Sequence, residues 1–369
     1  MRVCIVGGGG FLGCELAARL QSTGAHTVLL DVSFPEHTNI KLDERLTTVV
    51  QGSVLDEEKV CEALRGCESC FHIAAYGMSG IQAFNRDLIF RINVDGTLLL
   101  MSCCKRFGIS RFIYTSSVGV IFVGKELVNA SETYPYPKES EYFSWYSASK
   151  ARAEKLVLAS NCAELKTCAL RLRGIFGPGE PRSTDRAADM IHKGFFIATF
   201  AEKGKALTQY SGIYNVTQAM CNADMELAKP RPRCAGKVYH IVDDDPVDSF
   251  MFWAPLIKAL SQSPPYLRLP FPLIYFFAYL TECLAIWFGI PPLLNRLEVA
   301  LIGVTNTYSI EAAKKDLDYK PTNNHDLTEV VDYYKKLYQA QGSKINLRFI
   351  ITALFVAALV LFIFFRFLL

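Results

Sequence analysis

The chain has 369 residues, 51% of them apolar and 20% charged, with 39 Lys and Arg against 36 Asp and Glu. That composition supplies a hydrophobic core and excludes a disordered or collagen-like chain. The net charge of +3 is spread along the sequence instead of forming a basic stripe, so nothing calls for nucleic acid as a partner.

Met1-Arg2 leads straight into an apolar strand-like run and four glycines, with no signal-peptide pattern, so the N-terminus is expected to be made and kept in the cytosol. Apolar runs that read as strands are expected over 2–6, 26–31, 46–51, 69–73, 111–116 and 167–172. Helical periodicity lies between them over 11–21, 56–64 and 93–107, and again from about 144 to 159. Repeated strand and helix imply an α/β fold, a Rossmann-like doubly wound parallel sheet.

After about residue 180 the alternation fades. The stretch 269–290 is apolar except for Thr281 and Glu282 and is bracketed by Pro270, Pro272, Pro291 and Pro292. Glu282 and the prolines argue against a clean span and favour a surface-lying membrane contact or a pocket lid. Helices over 309–317 and 326–338 close this part. Phe349 to Phe365 then gives 17 uncharged residues, or 21 when continued past Arg366 to Leu369. At about 1.5 Å per residue this is roughly 25 to 32 Å of helix, enough to cross a bilayer. Lys344 and Arg348 precede it and belong on the cytosolic side, which makes a C-terminal transmembrane helix, a tail anchor, the expected reading.

Twelve cysteines are scattered, with Cys4, Cys14 and Cys168 inside apolar runs, so buried free thiols are expected. Cys67-x-x-Cys70 has no second ligand pair nearby, and no metal site is expected.

Gly7-Gly8-Gly9-Gly10-Phe11-Leu12-Gly13 follows the first strand and opens the first helix. Missing Cβ atoms let a backbone approach a pyrophosphate, whose charge then sits on the positive end of a helix. Asp31 ends the second strand 18 residues after Gly13, where a carboxylate accepts from both ribose hydroxyls. No basic residue follows at once to hold a 2′-phosphate, so the expected cofactor is NAD instead of NADP. Residues 1–180 then form an NAD-binding domain, 181–340 a smaller substrate-binding region and 349–369 the anchor.

Tyr146-Ser147-Ala148-Ser149-Lys150 puts a phenol and an ammonium on one helix face. A tyrosine with an ordinary pKa of about 10 must be shifted down to act as a base near neutral pH, and a lysine with the positive nicotinamide can supply that field. Ser117, at the carboxyl end of its strand, is placed to hold the reacting oxygen.

These residues, together with Phe71-His72-Ile73-Ala74-Ala75, Asn93-Val94-Asp95-Gly96-Thr97 and Tyr114-Thr115-Ser116-Ser117, resemble the extended short-chain dehydrogenase/reductases. Tyr76-Gly77-Met78-Ser79-Gly80 and Gly174-Ile175-Phe176-Gly177-Pro178-Gly179-Glu180 narrow the resemblance to the 3β-hydroxysteroid dehydrogenase family, nearest its 42E branch. The resemblance implies hydride transfer between C4 of the nicotinamide and a secondary alcohol or ketone. Tyr146 would exchange the proton, Lys150 would lower its pKa and hold the nicotinamide ribose, Ser117 would orient the substrate, and Ala74 would line the cofactor groove. It further implies a sterol-like substrate, a lipid bilayer as partner, a homodimer, and anchoring at the endoplasmic reticulum.

The chain departs from the family pattern at Val6, at Ser53 where an adenine-facing Asp is usual, at Leu172-Arg173, and over Ser211-Gly212-Ile213-Tyr214-Asn215. Arg173 is expected to disturb charge near the nicotinamide. These departures keep two alternatives beside the dehydrogenase: a catalytically impaired NAD-binding membrane protein and, on the shared fold, a sugar-nucleotide epimerase or dehydratase.

Overall fold

The computed structural model describes residues 1–341 apart from 36, 38 and 293. The expected anchor, 349–369, lies outside the described residues.

Seven strands form the central sheet in the spatial order Lys237–Ile241, Lys166–Leu172, Arg111–Ser117, Ser69–His72, Arg2–Val6, His26–Asp31, Thr47–Gln51. All neighbours pair in parallel. The chain builds outward from Arg2–Val6 in one direction, then restarts on its other side with Ser69–His72. A crevice opens at the carboxyl ends of strands where the order reverses, and this is where such sheets bind ligands.

Both faces of the sheet are covered, which explains why its strands read as near-continuous apolar runs. Val3 and Ile5 point to one side, where they join Leu16 and Leu20 of helix Phe11–Gln21 and Val216 and Met220 of helix Ile213–Leu227. Cys4 and Val6 point to the other, against helices Glu57–Leu64, Gly96–Arg106 and Trp145–Ala159. The period-two alternation of the strands thus divides one short sequence between two cores.

The strand Lys237–Ile241 and the helix Ile213–Leu227 are absent from the sequence-based pattern. The sheet therefore draws on residues from both sides of residue 180. His240 interrupts the apolar run of that strand, yet it is fully buried, beside Arg171 and the Ser309 carbonyl. Helix Gly96–Arg106 begins later than the periodicity suggests, because Arg91–Asp95 forms a π-helical turn before it.

Residues Phe271–Phe288 form one helix. Ala278, Glu282 and Ala285, spaced i, i+4, i+7, face the protein and are buried. Glu282 does not meet an apolar phase: its carboxylate accepts from Arg296 N at 2.6 Å and Nε at 2.7 Å. The last turn carries Ile286, Trp287 and Phe288, which are 63%, 81% and 71% exposed. The helix is long and apolar enough to cross a membrane by length and composition alone.

Candidate functional site

The glycine loop builds one half of the site. Gly10 is the N-cap of helix Phe11–Gln21 and offers no side chain, so the first-turn N–H groups of Phe11, Leu12 and Gly13 have no side-chain cap. Such a helix end attracts an anion. The packing leaves no room for side chains in the loop. A Cβ on Gly7, whose φ is +91°, would stand 2.6 Å from Ala74 N, and one on Gly13 would stand 2.3 Å from the Gly7 carbonyl oxygen. Ala74 is itself fixed by donating to the Val6 carbonyl at 2.9 Å.

Asp31 lies at the same edge. Its carboxylate accepts from Gly9 N at 3.0 Å and from Val32 N at 2.7 Å. A carboxylate offers about four acceptor sites, so capacity remains for two ribose hydroxyls. Gly7, Gly10, Phe11, Leu12, Gly13, Asp31 and Ala74 are therefore brought together, and the bare helix end with a free-sided carboxylate fits a dinucleotide such as NAD. Replacing Asp31 by Ala is expected to weaken NAD binding by about 1 to 3 kcal/mol. Isothermal calorimetry reads this directly, and an unchanged affinity would remove Asp31 from the site. Ser53 is committed to its own turn, where its hydroxyl accepts from Leu55 N at 3.2 Å.

The other half comes from helix Trp145–Ala159, which Ser144 caps by accepting from Ser147 N. Tyr146 and Lys150 sit one turn apart on its inner face, and both are buried. Lys150 Nζ donates to the Thr115 carbonyl at 2.5 Å and stands 4.1 Å from the Tyr114 ring centre. Burial pushes the Lys150 amine down to about 7, against the pull of Glu154. Burial also pushes the Tyr146 phenol above its ordinary value, and the charge that opposes this is that of Arg182. The expected depression of Tyr146 by Lys150 is thus not found in this state. In this state the amine donates to the Thr115 carbonyl instead.

Arg182 is a site residue that sequence spacing did not single out. Glu180 fixes the turn that carries it by accepting from the backbone N–H groups of Arg182, Ser183 and Thr184. Its guanidinium reaches Met78 Sδ at 3.8 Å, over the Tyr76–Gly80 loop. Only the family-like Gly-Pro-Gly-Glu run beside it carried a signal.

A lysine whose pKa is lowered on folding costs stability wherever the unfolded chain holds the proton and the folded one does not bind it equally well. The cost is largest below about 7 and disappears as pH rises from there to 10.5. Lys150→Met is accordingly expected to raise the melting temperature relative to the parent, most clearly below pH 7, while abolishing activity. Thermal melts of both proteins across that range check it, and a lower melting temperature for the variant at acidic pH would contradict it.

Ser117 ends the strand Arg111–Ser117, and its oxygen accepts from Gly119 N at 3.1 Å, capping the short turn Val118–Val120. Accepting uses a lone pair and leaves the O–H proton free to donate to a substrate oxygen. Gly119 is needed there, since a Cβ would stand 2.8 Å from Ser147 Oγ. The buried hydroxyls of Thr115, Ser116 and Ser147 have no hydrogen-bond partner among the described residues, so the site holds unspent polar capacity. Asn93, in the π-helical turn, accepts from Tyr76 N at 2.8 Å and donates to Tyr76 O and Ser149 Oγ, each at 2.9 Å. It ties the Tyr76–Gly80 loop to the helix of Tyr146.

Arg173 and Asn215, within the segments that depart from the family pattern, both make well-formed hydrogen bonds. Arg173 donates to Asn306 Oδ1 at 3.0 Å and to the Leu301 carbonyl at 2.7 Å, and it stacks on the Tyr210 ring. Its guanidinium is thus engaged by neutral acceptors at Leu301 and Asn306. Asn215 donates to Asp243 Oδ1 at 2.8 Å and accepts from Thr322 N at 2.9 Å. A cleft of about 710 Å³ lies elsewhere, between Glu15 and Ala18 of the first helix and Asp332, Tyr333 and Lys336 of helix Thr328–Gln341. None of Ser117, Tyr146 and Lys150 lines it.

The family model described as the 3-beta hydroxysteroid dehydrogenase/isomerase family matches residues 4–271, a span that holds the glycine loop, Ser117, Tyr146 and Lys150. The chain belongs to that family. It is an oxidoreductase of the short-chain dehydrogenase/reductase type. Among its relatives, short-chain dehydrogenase/reductase family 42E member 1 of Danio rerio is 38% identical, over 96% of this chain and 95% of the relative. The 3beta-hydroxysteroid dehydrogenase/Delta(5)-Delta(4) isomerase 1 of Caenorhabditis elegans is 34% identical, over 90% of this chain and 78% of the relative. A solved structure of UDP-glucuronic acid 4-epimerase from Bacillus cereus in complex with NAD superposes with a TM-score of 0.69 at 18% identity, covering 92% of this chain and all of that one. At that identity the likeness concerns the fold.

Proposed function

We propose that this chain oxidises a secondary alcohol on an apolar, sterol-like substrate, with NAD as cofactor, at a bilayer surface. The observation that carries the reading is the placement of Tyr146 and Lys150, buried one turn apart beside the carboxyl end of the strand bearing Ser117. Bound NAD supplies the hydride acceptor. Ser117 donates its O–H to the substrate oxygen and holds it next to Tyr146. The Tyr146 phenolate takes the alcohol proton as the carbonyl forms. Lys150 orders the base of the site through Thr115, and Arg182 offsets the burial that holds the Tyr146 proton. A 3β-hydroxysteroid is the substrate class that the family membership favours.

The exposed side of helix Phe271–Phe288 supports the bilayer part. Phe271, Ile274, Tyr275, Ala278 and the paired Glu282 pack against the protein, while Phe276, Tyr279 and the last turn leave large apolar side chains exposed where a soluble surface helix carries polar ones. The helix touches the short turn Ile81–Phe84, just beyond the Tyr76–Gly80 loop, so an apolar substrate leaving the lipid would have a short path to the site. Residues 349–369 then add a tail anchor in the endoplasmic reticulum, with the catalytic part in the cytosol. Truncated at residue 341, the protein is expected to co-sediment with phospholipid vesicles, and Ile286→Asp with Trp287→Asp to release it. Equal sedimentation of the truncated protein and its double variant would contradict a membrane role for this helix.

The function itself is tested by incubating the full-length, detergent-solubilised protein with NAD and a panel of 3β-hydroxysterols, and identifying ketone products by mass spectrometry. A 3-ketosteroid formed with equimolar NADH supports the proposal. Tight NAD binding without any alcohol-dependent NADH would favour the impaired, cofactor-binding alternative.

A further inference from the structure

Helices Glu57–Leu64 and Gly96–Arg106 pack on the same face of the sheet and bring Cys61 Sγ to 3.8 Å from Cys103 Sγ. Both are free thiols. Arg106 closes over them: its Nη2 lies 2.7 Å from Cys61 Sγ and 3.4 Å from Cys103 Sγ, and its Nη1 lies 2.8 Å from Glu57 Oε1. Glu57 and the two sulfurs gather within 4.8 Å of one another, a spacing that suits a soft cation. The guanidinium already supplies the positive charge there, which argues for anionic sulfur chemistry instead of a metal. Other thiols also cluster, Cys70 with Cys4 and Cys104, and Cys168 with Cys234. All five are fully buried and closed to a dissolved reagent, whereas Cys61 is half-buried.

We propose that Cys61 and Cys103 form a reversible disulfide, closed by a peroxide-class oxidant, that ties helix Glu57–Leu64 to helix Gly96–Arg106. The Cys61 sulfur, reachable from solvent, gives up its proton and attacks one peroxide oxygen. The O–O bond breaks, Cys61 becomes a sulfenic acid, and the departing oxygen leaves with the proton as water. The Cys103 sulfur then attacks the Cys61 sulfur. An S–S bond of about 2.05 Å forms, the S–O bond breaks, and the second oxygen leaves with the Cys103 proton as a second water. Two thiols lose two electrons and one peroxide gains them. Arg106 faces the sulfur that carries negative charge in each step. Burial pushes the Cys103 thiol up to about 12, in keeping with its part as the second, resolving sulfur.

The link would join two helices that already pack closely, as a Cβ on Gly96 would stand 2.7 Å from Val54 Cγ1, just ahead of helix Glu57–Leu64. The test uses full-length reduced protein in detergent, treated with hydrogen peroxide, digested without reductant and analysed by mass spectrometry. A peptide pair joined through Cys61 and Cys103 is expected before any other disulfide, and dithiothreitol should release it. Cys61→Ser should leave Cys103 a thiol, and Arg106→Gln should slow the closure by about tenfold. Two results overturn the proposal: Cys61 advancing to sulfinic acid with Cys103 untouched, or both staying thiols while other cysteines oxidise. The unsubstituted protein alone decides between these outcomes, so a variant that fails to fold does not blunt the test.

Discussion

Tyr146→Phe is expected to lower turnover of the productive alcohol by about 10²- to 10⁴-fold while leaving NAD affinity within about twofold. The substitution removes one hydroxyl and keeps the ring, so helix Trp145–Ala159 retains its packing. No residue of the cofactor cradle, from Gly7 to Gly13 with Asp31 and Ala74, depends on that hydroxyl for a hydrogen bond. The expected split between lost rate and intact binding separates a proton-transfer role from a structural one. A variant that loses both together, with a lowered melting temperature, would mean that the phenol is chiefly a packing group. The pH dependence carries a sign as well. Because burial raises the Tyr146 pKa, the phenolate fraction and with it the oxidation rate should climb toward alkaline pH.

Glu154→Leu should be the most damaging single change to stability on the same helix. Glu154 and Arg171 are both fully buried, and Arg171 grips the carboxylate through Nη2 at 2.7 Å and Nε at 3.1 Å. Tyr136 donates to the same carboxylate at 2.5 Å. Removing the acid leaves a guanidinium without a counter-charge in the core, a change that costs about 3 to 5 kcal/mol. Chemical denaturation of the tail-free protein measures it. Adding Arg171→Met to Glu154→Leu should recover most of the loss, because an apolar pair replaces an ionic one at similar volume. A double variant as unstable as the single one would show that Glu154 matters for something other than neutralising Arg171. These two residues hold helix Trp145–Ala159 to the strand Lys166–Leu172, and so set where Tyr146 and Lys150 stand.

What the sequence made legible follows from how local each feature is. The glycine loop, Asp31 at a strand end, and Tyr146 four residues before Lys150 are each encoded within one element or one strand-turn-helix unit. Periodicity and caps place them without knowledge of the rest, and helix Phe11–Gln21 matches its expected span. The features that escaped depend on distant partners. Arg182 is positioned by Glu180 and by a loop about a hundred residues upstream, and its bearing on Tyr146 appears only once the chain is folded. The strand Lys237–Ile241 hides a buried histidine that reads as polar in sequence. Arg173 reads as damage to the substrate half, yet Asn306 and Leu301 accept its hydrogen bonds. Lys150 stands on the same helix face as Tyr146, as its spacing predicts, but residue type does not reveal that burial brings its amine down to about 7.

The central claim is that this site removes a hydride from an alcohol carbon and passes it to NAD with Tyr146 as the base. The most direct measurement supplies a 3β-hydroxysterol carrying deuterium at the carbinol carbon, together with NAD, to the full-length protein, and weighs the reduced cofactor. Singly deuterated NADH, formed by the parent and lost in Tyr146→Phe, is the predicted result. NADH that forms without deuterium, or deuterated NADH that persists undiminished in Tyr146→Phe, would contradict the account.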